Sequence, residues 1–148
     1  MKKNLFFSMI ISLLIVSCTQ QESKFPQGAW NLVQTQTITD GKVEIGFPVA
    51  WTGSLVKMWS EKNWSNIGKW VEDTLSGDMY AGGTYTLEGN QYEEYIVCHS
   101  AKQYEGRKST NMVLELKNDI LILSYHPFDS TGKQIDNISS LEKYIRLK

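Results

Sequence analysis

Tyr80-Ala81-Gly82-Gly83-Thr84-Tyr85-Thr86-Leu87, then Glu88-Gly89-Asn90, then Gln91-Tyr92-Glu93-Glu94-Tyr95-Ile96-Val97-Cys98-His99: two runs rich in aromatic and β-branched residues meet across a Gly-Asn turn. Such residues suit a pleated, half-buried surface, and glycine supplies the positive φ of a tight reversal, so the pair reads as a β-hairpin. Gly82-Gly83 sits inside the strand pattern with no helix after it. That reads as a bend or bulge rather than a phosphate cradle.

The same pattern extends in both directions. Runs at 30–38 and 42–51 flank Asp40-Gly41, the second weakened by Pro48. Runs at 55–59 and 64–71 flank Ser60-Glu61-Lys62-Asn63, and runs at 111–116 and 120–126 flank Asn118-Asp119. A last run covers 141–147, while 106–110 and 130–137 read as loops. Residues 59–75 are ambiguous, because Trp64, Ile67, Val71 and Leu75 also fit helical spacing; Gly68 and the flanking turn residues favour strand. Neither a second linker nor a repeat period is visible. The expectation is an all-β, antiparallel up-and-down barrel of about 8–10 strands, because closure removes the exposed edges of so many short strands. A barrel of that size has room for side chains or one small ligand.

The chain has 148 residues, 41% hydrophobic and 21% charged, which fits one globular domain and excludes disorder, collagen and coiled coil. A net charge of -1 argues against a nucleic-acid partner, which needs a basic face. Lys2 and Lys3 precede an apolar run at 5–16 that is short of the roughly 20 residues a membrane-spanning helix needs. It fits a signal peptide over residues 1–17. Residues 18–27 then form a short polar tether, and residues 28–148 the barrel domain. Cleavage before Cys18 removes both lysines and no acid, so the charge moves from -1 to -3. Cys98 is left without a partner, and its apolar neighbours suggest a small buried hydrophobe.

Ile15-Val16-Ser17-Cys18 resembles the bacterial lipobox, which implies lipidation of Cys18 and a partner membrane held through N-terminal acyl chains. Each buried CH₂ contributes about 0.8 kcal/mol, so two or three chains make a lasting anchor. A plain secretory signal containing a cysteine is the alternative. Gly28-Ala29-Trp30 resembles the Gly-x-Trp signature of the lipocalin (calycin) superfamily, with Arg146 as its partner from the last strand. That resemblance implies a barrel-closing pair, Trp30 and Arg146, with the guanidinium over the indole. With Lys57-x-Trp59, Gly82-Gly83-Thr84-Tyr85 and Glu142-x-Tyr144-x-Arg146, the chain is similar to a lipocalin-like family of Bacteroidetes lipoproteins. The resemblance runs from Gly28 to the C-terminus. It implies a barrel and a cell-envelope location, lipid-anchored in the outer membrane, and brings no activity. The disulfide and later motifs of many secreted lipocalins are lacking.

Five tryptophans and seven tyrosines are many for so small a domain. Trp59, Trp64, Trp70, Tyr85, Tyr95, Tyr125 and Tyr144 are candidate pocket residues for a small hydrophobic, aromatic or glycan-derived ligand. The alternative is a filled core whose surface binds another envelope protein. In related fatty-acid-binding barrels a closing-strand Arg and Tyr hold a carboxylate. Tyr144 and Arg146 could act so, or simply pack. No zinc spacing or nucleophile motif occurs, so no metal, cofactor or catalytic residue is expected. Cys98 and His99 point to opposite faces unless their strand is bulged. No inward pair of carboxylates can be placed. A barrel enzyme using His99 or His126 is a second alternative.

Overall fold

The computed structural model describes residues 27–148; the expected signal peptide, Cys18 and almost all of the expected tether lie outside them. Nine strands follow in order: β1 (Gly28–Thr39), β2 (Lys42–Ile45), β3 (Thr52–Trp59), β4 (Asn63–Glu72), β5 (Leu75–Glu88), β6 (Gln91–His99), β7 (Lys108–Lys117), β8 (Ile120–Tyr125) and β9 (Ile138–Arg146). From β3 onward each strand pairs antiparallel with the next, β1 pairs with β3, and β9 returns to β1. Eight strands thus close an up-and-down barrel. The β1–β9 seam runs from Trp30 opposite Arg146 to Thr39 opposite Ile138. Short β2 lies outside this ring, against the second half of β1.

Turn chemistry sets the reversals. Asp40 and Gly41 both have positive φ, as do Asn118 and Asp119, the conformation that matches the twist of a two-residue hairpin. The expected strand at 42–51 stops at Ile45. A wide turn, Gly46–Ala50, interrupts it, closed by the Trp51 N–H on the Gly46 carbonyl (3.2 Å) and containing a cis Phe47-Pro48 bond. Residues 63–72 are strand throughout, since their inward positions alternate with exposed Ile67 and Lys69. The expected loop at 106–110 is also corrected: β7 already begins at Lys108.

The two ends of the barrel differ. At one end lie Gly28, Arg146 and the tight β3–β4, β5–β6 and β7–β8 turns. There Trp30, Leu32, Trp59, Tyr92, Leu121 and Tyr144 are almost fully buried. Trp59 meets both Tyr92 and Tyr144 edge-on, at 6.5 and 5.9 Å, a favoured aromatic arrangement. At the other end the β1–β2 and β4–β5 turns are tight but three connections are longer: the turn after β2, residues 100–107, and residues 126–137. Aromatic packing seals the first end, and the second opens onto a polar interior.

Candidate functional site

Strand alternation carries the apolar core only part of the way up. Above it the inward positions become polar: Lys57 on β3, Asn66 on β4, Glu94 on β6, Ser109 and Asn111 on β7, Tyr125 on β8, Ser140 and Glu142 on β9. Lys57, Glu94, Ser109, Asn111 and Ser140 are all buried. They surround a chamber with two lobes, of about 280 and 460 Å³. Asn66, His99, Tyr125 and Glu142 line both lobes.

A hydrogen-bonded chain forms the chamber floor. The Trp59 indole N–H donates to the Tyr92 oxygen at 2.7 Å, and the Tyr92 hydroxyl donates to Glu94 Oε1 at 2.5 Å. The Lys57 ammonium lies 2.5 Å from the same oxygen. That ammonium is also 4.8 Å from the Trp64 ring centroid and 5.4 Å from that of Trp59. A buried charge needs such company: a counter-ion, hydrogen bonds and aromatic faces together offset its lost hydration.

Glu142 forms a second centre. The Tyr144 hydroxyl donates to its Oε2 at 2.6 Å, and the Tyr125 hydroxyl lies close to both Glu142 and Ser140. Burial raises the Glu142 carboxyl above its ordinary value; nearby Lys57 and the two tyrosine hydroxyls pull it back, and Glu94 pushes it further up. The surface that Glu142 retains is chamber surface. Burial likewise pushes the Tyr92, Tyr125 and Tyr144 phenols up, so they remain protonated donors to the carboxylates. No ion pair within 4.0 Å involves Glu142 among the described residues. The buried Asn66 Oδ1 has no hydrogen-bond partner among the described residues.

His99 reaches the chamber because β6 is bulged. Gly82 faces Cys98 while Gly83 faces Ile96, so Val97 is an extra residue and the alternation slips. Cys98 is therefore exposed, not the buried hydrophobe expected from its neighbours. The His99 Nδ1 accepts the Ala101 N–H at 2.8 Å, which fixes the neutral ring with its proton on Nε2. Burial lowers its pKa. His126 Nδ1 lies 2.8 Å from the Ile138 carbonyl, to which it must donate. Among the described residues no group of three His, Cys, Asp or Glu is arranged to hold a metal ion.

The expected pocket residues are distributed unevenly. Trp64 and Tyr125 line the chamber. Trp59 and Tyr144 lie beneath it in the sealed end, and Tyr85 is nearby, edge-on to Tyr92 at 5.5 Å, with its hydroxyl donating to the Ser60 carbonyl. Trp70 stands near the rim against Gly77. Tyr95 is turned outward and 44% exposed, because Tyr92, Glu94 and Ile96 take the inward positions of β6. Arg146 stays outside the chamber: its guanidinium carbon is 4.4 Å from the Trp30 ring centroid, and its Nε is 3.3 Å from Asp119. Tyr144 and Arg146 therefore do not meet as an anion clamp; Tyr144 serves Glu142 instead. Asn66 and Glu94 carried no site role in the sequence reading and Lys57 only a place in a family motif, and the inward carboxylates it could not place are Glu94 and Glu142. The available signal was a charge two residues from large apolar groups on both sides, as in Leu55-x-Lys57-x-Trp59 and Tyr92-x-Glu94-x-Ile96.

No protein-family model matches the chain, and no curated protein matches it.

Proposed function

We propose that this protein is a membrane-anchored, lipocalin-like binding protein that holds one small ligand in the open half of its barrel. The observation that carries the reading is the chamber itself, whose two lobes share the polar residues Asn66, His99, Tyr125 and Glu142 on their walls. A concave space of this size with polar groups converging from several strands is the form of a small-ligand site. The mix of charged, hydroxyl and aromatic walls favours a ligand with polar handles, aromatic or glycan-derived, over a plain acyl chain. An open chamber also weighs against a filled core used only for protein contacts. Anchoring rests on the lipobox-like residues ending in Cys18, and the expected place is the cell envelope.

Native mass spectrometry of the full chain, extracted from its host in mild detergent, tests the binding reading. A reproducible added mass that is lost on denaturation is the expected result. A clean ligand-free mass under every growth condition overturns it. The anchor is tested separately: Cys18→Ser should release the protein from salt-washed membranes, and continued membrane association would contradict lipidation.

A further inference from the structure

The groups inside the chamber are unequally matched. Glu94 has its own cation, the Lys57 ammonium, which also lies near two indole faces, and it accepts the Tyr92 hydroxyl as well. Glu142 accepts the Tyr144 hydroxyl, has Tyr125 close by, and among the described residues has no cation within ion-pair distance, Lys57 acting on it from further away. With both carboxylates ionised, the chamber carries one more negative than positive charge. Above Glu142 the smaller lobe is walled by Tyr104 and Phe128, stacked at 5.5 Å and 28°.

Resting on the binding function proposed above, we infer that the ligand is a small organic cation, an ammonium or guanidinium on an aromatic or otherwise flat body. Its charged head sits against Glu142 and Tyr125, and its body lies against the Tyr104–Phe128 pair. The head repeats at Glu142 what Lys57 does at Glu94. A carboxylate supplies the charge-assisted hydrogen bond, and aromatic faces supply the weaker attraction that a cation receives from a ring. A neutral alcohol would leave Glu142 with no cation nearer than Lys57, which is paired with Glu94. A carboxylate ligand would face two buried carboxylates across the same space.

Binding of such a cation depends on pH. The groups that face the Glu142 carboxyl are Lys57 from β3, Asn66 from β4, Glu94 from β6, Tyr125 from β8 and Tyr144 from β9, with His99 on the chamber wall. The tyrosines remain neutral. Acidification protonates Glu142 and charges His99, and both changes oppose a cation. Affinity therefore falls as pH falls.

The test is calorimetric titration of the full chain, in detergent with a detergent blank, using 2-phenylethylammonium, 2-phenylethanol and phenylacetate. The ammonium should bind at least tenfold more tightly than the alcohol at pH 7.5. Phenylacetate should bind most weakly, and the ammonium's margin should shrink at pH 5. Glu142→Gln should bring the ammonium-to-alcohol ratio close to one. If that variant fails to fold, the wild-type ratio at the two pH values decides. An alcohol or carboxylate bound as tightly as the ammonium, an ammonium preference that survives in Glu142→Gln, or no binding by any probe overturns the cation. If the native protein nevertheless carries a neutral molecule, the binding function stands and only the cation falls. If nothing co-purifies and nothing binds, both fall.

Discussion

Lys57 keeps an ammonium 6% exposed in the middle of a barrel, at 2.5 Å from a carboxylate that is itself 5% exposed. Removing one partner of such a pair strands the other charge, which typically costs about 3–5 kcal/mol. Lys57→Met should therefore destabilise the fold by that order in denaturant titration, and Lys57→Met with Glu94→Leu should recover part of the loss. A cost below about 1 kcal/mol, typical of an exposed pair, would mean the pair is hydrated. Glu142 gives a pH signature of definite sign. Its folded carboxyl titrates above the ordinary 4.5, so folding favours its protonated form. That stabilisation is present below about pH 4.5 and is lost as pH rises through the folded pKa. Glu142→Gln has no such loss. Its Tm relative to wild type should climb from pH 4.5 upward and then level off; a difference independent of pH would contradict the burial of this carboxyl.

Among the elements, hairpins with strong turn chemistry were legible. Asp40-Gly41, Gly89-Asn90 and Asn118-Asp119 each join two strands, and the closing strand was read within a few residues of Ile138–Arg146. The start of β7 was not legible, and the reason is physical. Lys108-Ser109-Thr110 turns its middle residue into a polar chamber, so the apolar alternation that marks a half-buried strand is absent. The bulge had the opposite history. Gly82-Gly83 was visible as a bend, yet its effect on Cys98 and His99 depends on which strand carries the extra residue. A Cβ on Gly83 would run into the Tyr95 carbonyl and the Val97 N–H across the bulge, whereas on Gly82 it meets its nearest atom, the Trp64 oxygen, at 3.3 Å. Gly83→Ala should therefore cost about 1–3 kcal/mol, the usual range for overpacking, and more than Gly82→Ala. Equal costs in thermal unfolding would argue against the bulge.

For the molecule as a whole, the sequence indicated a barrel through first and last strands that share one seam, Trp30 opposite Arg146. What it could not indicate was the division of the interior. An inward residue is assumed apolar until a structure brings several polar ones together. Here Lys57, Asn66, Glu94 and Glu142 come from four different strands and meet only on closure. The resulting polarity, a dry aromatic end and a wet polar end, underlies both the proposed binding function and the choice of ligand. Water-to-methyl NOE measurement on methyl-labelled protein tests that division most directly. Ala81 and Met79, on the chamber wall, should show contacts with exchanging water, and Leu121, fully buried at the sealed end, should show none. Dry methyls at all three positions would mean a filled core, and wet methyls at all three an unsealed barrel; either would contradict a chamber closed at one end and open at the other.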